Sequence, residues 1–155
     1  MLLLHPIIVD QIKGAVQFSD EECCGFLFGL EEASGVRTIT AMMSAKNISP
    51  LNKKETFEIS PEDYMDAENF ASQHNLKLLG VYHSHISFAA TPSEFDRVAA
   101  HPYFSYVILS VVENMVEEIR SWILTNDFKF EEETISIINT NQDIHGYRNH
   151  SNSAA

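Results

Sequence analysis

Apolar and polar positions change between helix-like and strand-like spacing along the chain, which predicts a mixed α/β fold. Residues 6–18 carry isoleucine, valine and alanine at the intervals of an amphipathic helix. Residues 23–30 form a continuous apolar run with two glycines, the pattern of a buried strand. A Ser-Gly turn at 34–35 separates this run from a β-rich stretch over 36–45, so we expect a hairpin.

Two helix starts follow in the middle of the chain. The sequence Ser60-Pro61-Glu62-Asp63 offers a cap, a proline for the first helical position and an acid at the capping-box position. It predicts a helix that runs to about His74. Residues 91–94 repeat the pattern, with Thr91 as the expected cap, and predict a helix over 95–100.

The remaining apolar stretches complete a sheet flanked by helices. Strands are predicted over 56–59, 76–82, 106–112 and 118–124, the last two paired around 113–114, and alternating apolar residues over 128–138 close the fold. The sequence shows no internal repeat or linker. We therefore expect one domain over 1–138, followed by a flexible polar tail over 139–155.

Composition narrows the class of partner. With 155 residues, 45% of them hydrophobic, the chain is long enough for a core without disulfides. A net charge of -12 excludes a phosphate backbone as partner and disfavours an anionic membrane surface. The apolar run over 1–4 is too short for a signal peptide, no stretch approaches a membrane span, and the two cysteines are sequence neighbours. These features predict a cytoplasmic protein; they do not indicate its oligomeric state.

The candidate chemistry lies at the end of the 76–82 strand. His83 and His85 are two residues apart, so their side chains share one face of the strand and can converge on a metal. Asp96 follows in the next helix, where Ser93 shares its face. Two histidines and a carboxylate leave a fourth position for water, the arrangement of a catalytic zinc site. Either histidine alone is unremarkable, and the complete spacing is what indicates a metal site.

This spacing is that of the JAMM motif: His-x-His, seven residues, Ser, two residues, Asp. The chain therefore resembles the catalytic MPN (JAB-domain) metalloproteases. That family also has an upstream Glu-x-Cys-Gly-x-Leu-x-Gly segment, which residues 22–29 match at each of those positions. The resemblance covers about 6–138. It implies an α/β/α sandwich with a mixed central sheet, similar to the cytidine deaminase fold.

By resemblance, each motif residue has a role. His83, His85 and Asp96 are expected to bind one zinc ion per chain. Glu22 is expected to act as general base on water and then return the proton to the leaving amine. Ser93 is expected to donate a hydrogen bond to the developing oxyanion.

Three features fall outside this match. Family members commonly have proline after the second histidine, whereas this chain has Ile86, so the resemblance leaves the shape of the 86–90 loop open. Cys23 and Cys24 could serve redox or metal chemistry, but their place at the head of an apolar strand favours packing. The other five histidines have no partners at ligand spacing.

The short connections of the chain resemble those of the compact prokaryotic branch of the family. The implied activity is hydrolysis of an amide or isopeptide bond at the C-terminus of a ubiquitin-like or sulfur-carrier protein. A non-catalytic MPN scaffold remains the alternative, although such relatives typically lack part of the ligand set. A nucleobase deaminase would need P-C-x-x-C and H-x-E motifs, which are absent. A cell-wall peptidase is disfavoured by the missing export signal.

Overall fold

The computed structural model describes residues 1–138, and within them eight strands and three helices follow one another along the chain. Their order and bounds are β1 (Leu2–Leu4), α1 (Pro6–Val16), β2 (Cys24–Glu31), β3 (Arg37–Ala45), α2 (Pro61–Gln73), β4 (Lys77–Ile86), α3 (Glu94–Ala99), β5 (Ser105–Val112), β6 (Met115–Leu124), β7 (Phe130–Glu133) and β8 (Ile135–Ile137). The polar tail predicted over 139–155 lies outside the described residues.

The strands form one mixed sheet in the order β7-β6-β5-β4-β2-β3-β1-β8. The pairs β4–β5, β1–β3 and β1–β8 are parallel, and the other pairs are antiparallel. Because β2 and β4 run in opposite directions, the start of β2 lies beside the end of β4, with Cys24 opposite His83. This register brings the residues just before β2 to the edge of the sheet where the histidines lie.

Helices cover both faces of the sheet and bury an apolar cluster on each. On one face α1 packs through Ile8, Ile12 and Val16 against residues such as Leu27 and Leu109. On the other face Ala67 and Ala71 of α2 pack in a second cluster, with Phe26, Phe28 and Val81 among its members. The α/β/α sandwich expected from the resemblance is therefore confirmed. No helix within 1–138 is long and apolar enough to cross a membrane.

The helix starts agree with the sequence in α2 and differ in α3. In α2 the Ser60 side chain caps the backbone N–H of Asp63, as predicted. In α3 the cap is Ser93, not Thr91, and the capping-box acid is Asp96, not Glu94. The sequence contains two overlapping cap patterns here. The later one is used because it satisfies both the Ser93 and the Asp96 backbone N–H groups.

Two strand predictions need correction. Residues 56–59, predicted as a strand, lie in an irregular loop: Thr56 and Ile59 are buried, but this segment pairs with no strand. Its backbone instead bonds to the Asn47 side chain and to Ile48. The sequence pattern predicts no element over 1–4, yet Leu2–Leu4 form a strand between β3 and β8. The 128–138 stretch divides into β7 and β8, which lie at opposite edges of the sheet.

Candidate active site

The end of β4 places His83 and His85 on one face of the sheet, with their Nε2 atoms 3.1 Å apart. Both side chains are buried, His83 completely. Ser84, between them, points to the opposite side, where its hydroxyl accepts a hydrogen bond from the Cys23 backbone N–H at 2.9 Å. That bond ties β4 to the segment that leads into β2.

The start of α3 delivers Asp96 to the same point. Its Oδ1 lies 3.2 Å from Nε2 of His83, and its Oδ2 lies 3.3 Å from Nε2 of His85. The capping box fixes this carboxylate: the Ser93 N–H donates to Oδ2 at 2.7 Å, and the Asp96 N–H donates to Oγ of Ser93 at 3.1 Å. The three residues from two separate elements therefore form one buried cluster.

The cluster fits a metal ion in size and in donor type. A tetrahedral zinc ion with ligands at about 2.0–2.1 Å has ligand–ligand edges of roughly 3.3 Å. Here the two Nε2 atoms are 3.1 Å apart, and the Asp96 carboxylate approaches them through different oxygens, Oδ1 at 3.2 Å from His83 and Oδ2 at 3.3 Å from His85. One ligand atom from each residue lies within 4.8 Å of the other two. Two imidazole nitrogens and one carboxylate oxygen suit zinc, and three protein ligands leave a fourth position open for water.

The orientation of each imidazole is set by a contact behind it. His85 Nδ1 lies 2.8 Å from the Ala89 carbonyl oxygen, which can only accept, so Nδ1 carries a proton and Nε2 can present its lone pair to a metal. The His83 ring stacks on Phe57 with centroids 4.4 Å apart. Its Nδ1 is buried and has no hydrogen-bond partner among residues 1–138.

Electrostatics in the cluster favour a cation beside Asp96. Burial opposes ionisation of Asp96, but the charge of His83 and hydrogen bonds from both histidines hold the pKa of this carboxyl well below its usual range. Burial lowers the pKa of His85, but its hydrogen bonds to Asp96 and Ala89 outweigh that effect and raise it. A carboxylate that favours the protonated form of His85 would also attract a divalent cation.

Glu22 lies just before β2, beside the cluster. Its backbone is held on both sides: its N–H donates to the Lys53 carbonyl at 2.7 Å, and its carbonyl accepts from the Asn47 side chain at 3.0 Å. Its side chain is only 4% exposed, and Oε2 has no hydrogen-bond partner among the described residues. Burial raises the pKa of Glu22 to about 7, against the lowering influence of His83 and His85. This carboxyl can therefore both accept and release a proton near neutral pH.

Two cavities meet the cluster. One, of about 410 Å³, is lined by Glu22, His85 and Ser93, so the candidate base and the candidate oxyanion donor face the same space. The Ser93 hydroxyl accepts from the Asp96 N–H, and its own proton remains available to donate. The other, of about 630 Å³, runs between residues 49–59 and α3 and includes Asp96 in its wall.

Comparison with known proteins decides the family. A family model described as prokaryotic homologs of the JAB domain matches residues 7–125. This chain belongs to that family. The desampylase of Pyrococcus furiosus is 31% identical to this JAB-domain chain over 136 residues, which span 88% of this chain and 90% of that protein.

Two solution structures resemble this JAB domain closely in shape. A protein of Desulfitobacterium hafniense superposes with a TM-score of 0.77 at 23% identity, over 90% of this chain and 94% of its own. A protein of Salinibacter ruber does so with a TM-score of 0.67 at 34% identity, over 88% of this chain and 92% of its own. The first likeness, at 23% identity, shows the fold alone. The second is a likeness in both fold and sequence.

Sequence reasoning missed the residues that support this JAB-domain site. Asn47 lies in a polar stretch and Phe57 in the predicted 56–59 strand, and neither carries a spacing signal. No sequence motif could identify the Ala89 carbonyl, because a backbone group has no sequence signature. Cys24 is buried in the α2-side cluster, and burial raises the pKa of its thiol to about 12, which favours packing over redox or metal chemistry.

Proposed function

We propose that this chain is a zinc-dependent hydrolase that cleaves an amide or isopeptide bond at the C-terminus of a ubiquitin-like or sulfur-carrier protein. The observation that carries the proposal is the convergence of His83, His85 and Asp96, whose side chains approach one another within 3.3 Å, next to the buried Glu22, whose Oε2 has no hydrogen-bond partner within residues 1–138. Membership of the JAB-domain family and the likeness to a desampylase support the substrate class.

The proposed chemistry divides between the metal and the chain. Zinc held by His83, His85 and Asp96, one ion per chain, would acidify a coordinated water and polarise the scissile carbonyl. Glu22 would take the proton of the attacking water through its free Oε2 and return it to the leaving amine. Ser93 would donate its hydroxyl proton to the oxyanion that develops on the carbonyl.

The second cavity supports an extended peptide as substrate. Its wall combines Asp96 with exposed apolar side chains on two elements, Leu51 from the 49–59 segment and Phe95 and Val98 from α3. A C-terminal tail lying in this cavity would present its last carbonyl to the metal site. The net charge of -12 favours a neutral or basic tail over nucleic acid or an anionic membrane. The free cysteines of the chain are consistent with action in the cytoplasm.

The test combines metal content with cleavage. Purified protein is expected to hold about one zinc per chain, and the His83→Ala and His85→Ala variants none. The zinc-loaded protein is then offered a small ubiquitin-fold carrier that ends in Gly-Gly and is fused through an amide bond to a reporter. Release of the reporter by the wild type and not by either variant supports the proposal. Zinc binding without cleavage of any carrier fusion would contradict the substrate class, and no zinc in the wild type would favour the scaffold alternative.

A further inference from the structure

The segment between His85 and α3 is held against the sheet by side chains from β5 and β6. Ser110 of β5 donates its hydroxyl proton to the Phe88 carbonyl at 2.6 Å. Two residues further along the segment, Ala90 is completely buried, and both of its backbone polar groups bond to β6. Its N–H donates to Oε2 of Glu118 at 3.2 Å, and its carbonyl accepts from the Trp122 indole N–H at 2.9 Å.

We call this pair of contacts, from Glu118 and Trp122 to the backbone of Ala90, the Ala90 clamp. The two side chains can both reach Ala90 because they are four residues apart on one strand and so share a face. Arg120, between them on the same face, completes the arrangement. Its guanidinium lies 4.6 Å above the Trp122 ring and 3.8 Å from Oε1 of Glu118. Oε1 of Glu118 therefore faces a cation while Oε2 faces the Ala90 N–H, which fixes the direction of the carboxylate.

The clamped residue adjoins the group that orients a candidate metal ligand. Ala89 immediately precedes Ala90, and its carbonyl accepts the Nδ1 proton of His85. Ala89 is itself exposed and makes no other side-chain-mediated hydrogen bond within 1–138. The position of its carbonyl therefore depends on the bonds made by its two neighbours, Phe88 and Ala90.

We propose that Glu118 and Trp122 are positioning residues for His85: by binding both backbone groups of Ala90 they hold the Ala89 carbonyl at Nδ1, and so keep Nε2 aimed at Asp96. The proposal rests on the proposed function only in taking His85 as a metal ligand.

Four variants separate this role from charge and from packing. Glu118→Ala removes the acceptor, whereas Glu118→Gln removes the charge but keeps an oxygen for the Ala90 N–H. Glu117→Ala is the matched control, because it removes the same charge from an exposed position on the same strand. Trp122→Phe removes the indole N–H and keeps an aromatic ring. Circular dichroism and thermal melting establish that each variant is folded.

Two readouts besides activity decide the outcome. The first is the affinity for Co²⁺, measured by chelator competition together with the visible spectrum of the bound ion. The second is the fraction of the Nδ1–H tautomer of His85 in metal-free protein, from long-range ¹H–¹⁵N correlation at a pH where the ring is neutral. Glu118→Ala and Trp122→Phe are expected to weaken Co²⁺ binding roughly 10-fold and to populate the other tautomer. Glu118→Gln and Glu117→Ala are expected to stay within about twofold of the wild type.

The positioning role of Glu118 and Trp122 can fail independently of the proposed hydrolase function. An unchanged tautomer and Co²⁺ affinity in Glu118→Ala would overturn the positioning role, and so would an equal loss in Glu117→Ala, which would make the effect one of charge. If Trp122→Phe does not fold, the three glutamate variants still decide. If the wild type binds no Co²⁺, the proposed function fails, while the tautomer measurement still tests the clamp.

Discussion

The side-chain amide of Asn47 donates a hydrogen bond to the backbone carbonyl of Glu22 at 3.0 Å. The same amide nitrogen donates to the Thr56 carbonyl at 2.9 Å, and the amide oxygen accepts from the N–H groups of Ser49 and Glu58. One carboxamide thus satisfies all four of its hydrogen bonds. It joins the candidate base to the segment that lines the larger cavity.

We predict that Asn47→Ala lowers kcat at least 10-fold and leaves zinc content unchanged. The variant frees the Glu22 carbonyl and the 49–59 segment, so the carboxylate loses its fixed position. Phe57 loosens its stacking on His83, but all three metal ligands lie on β4 and α3 and are expected to retain the ion. The free energy of unfolding should fall by about 1–3 kcal/mol, because partly buried groups lose partners. Asn52→Ala, in the same loop, is the control: its side chain bonds only the exposed Lys54 N–H and should leave kcat unchanged. Equal losses in both variants would show a general effect of the loop.

Ser93 combines a helix cap with the proposed oxyanion contact, and a second cap in the chain allows the two roles to be separated. We predict that Ser93→Ala costs about 1 kcal/mol of stability and lowers kcat 10²–10³-fold. Ser60→Ala removes the equivalent cap of α2 and should cost similar stability with activity retained. Denaturant unfolding and steady-state kinetics on both variants make the comparison. If Ser93→Ala loses no more activity than Ser60→Ala, Ser93 acts only as a cap.

The parts of the site that sequence could predict are those that spacing encodes. His83 and His85 share a face because alternation in a strand has period two, and the Ser93-x-x-Asp96 spacing makes a capping box as well as a family motif. The role of Glu22 could not be predicted from local physics, because its burial arises from the antiparallel pairing of β2 with β4, far away in sequence. Only the resemblance identified it.

The sequence pattern predicts the long elements of the fold well. It predicts short strands poorly, because pairing with distant segments decides whether they form. Helix α2 and strands β2 to β6 follow their periodicity. Residues 1–4 and 56–59 are both four-residue stretches with apolar side chains, yet the first pairs between two strands and the second does not. In 56–59 backbone bonds to the Asn47 side chain take the place of pairing with a neighbouring strand. Neither outcome is encoded in a window of four residues.

If Glu22 is the general base, a substitution that removes its carboxylate should abolish catalysis and leave metal binding intact. Glu22→Gln keeps the size and burial of the side chain but cannot accept a proton. We expect zinc content equal to the wild type and a loss of kcat of about 10²–10⁴-fold, measured on the carrier fusion. Glu21→Gln, an exposed neighbour, should behave as the wild type. Substantial hydrolysis by Glu22→Gln would assign the base to another group.

Glu22→Gln should also stabilise the metal-free protein, and the gain in unfolding free energy should depend on pH. Burial raises the pKa of Glu22 from 4.5 to about 7, so between these values the folded state holds a proton that the unfolded state has released. The contribution of Glu22 to stability is therefore present below about pH 4.5, falls as the pH rises to about 7, and remains lost above it.

Glu22→Gln lacks this titration, so its advantage in unfolding free energy over the wild type should grow across that window to at most about 3 kcal/mol. Urea unfolding in the presence of a chelator, at pH 5 and pH 8, measures the difference, with Glu21→Gln as the charge control. A constant difference between the two pH values would mean that Glu22 ionises in the folded protein at its ordinary pKa. Added zinc should reduce the advantage, since a cation beside the carboxylate compensates for its burial. Such a result would show that the buried glutamate costs stability until the metal is bound, as expected for a group placed for catalysis and not for folding.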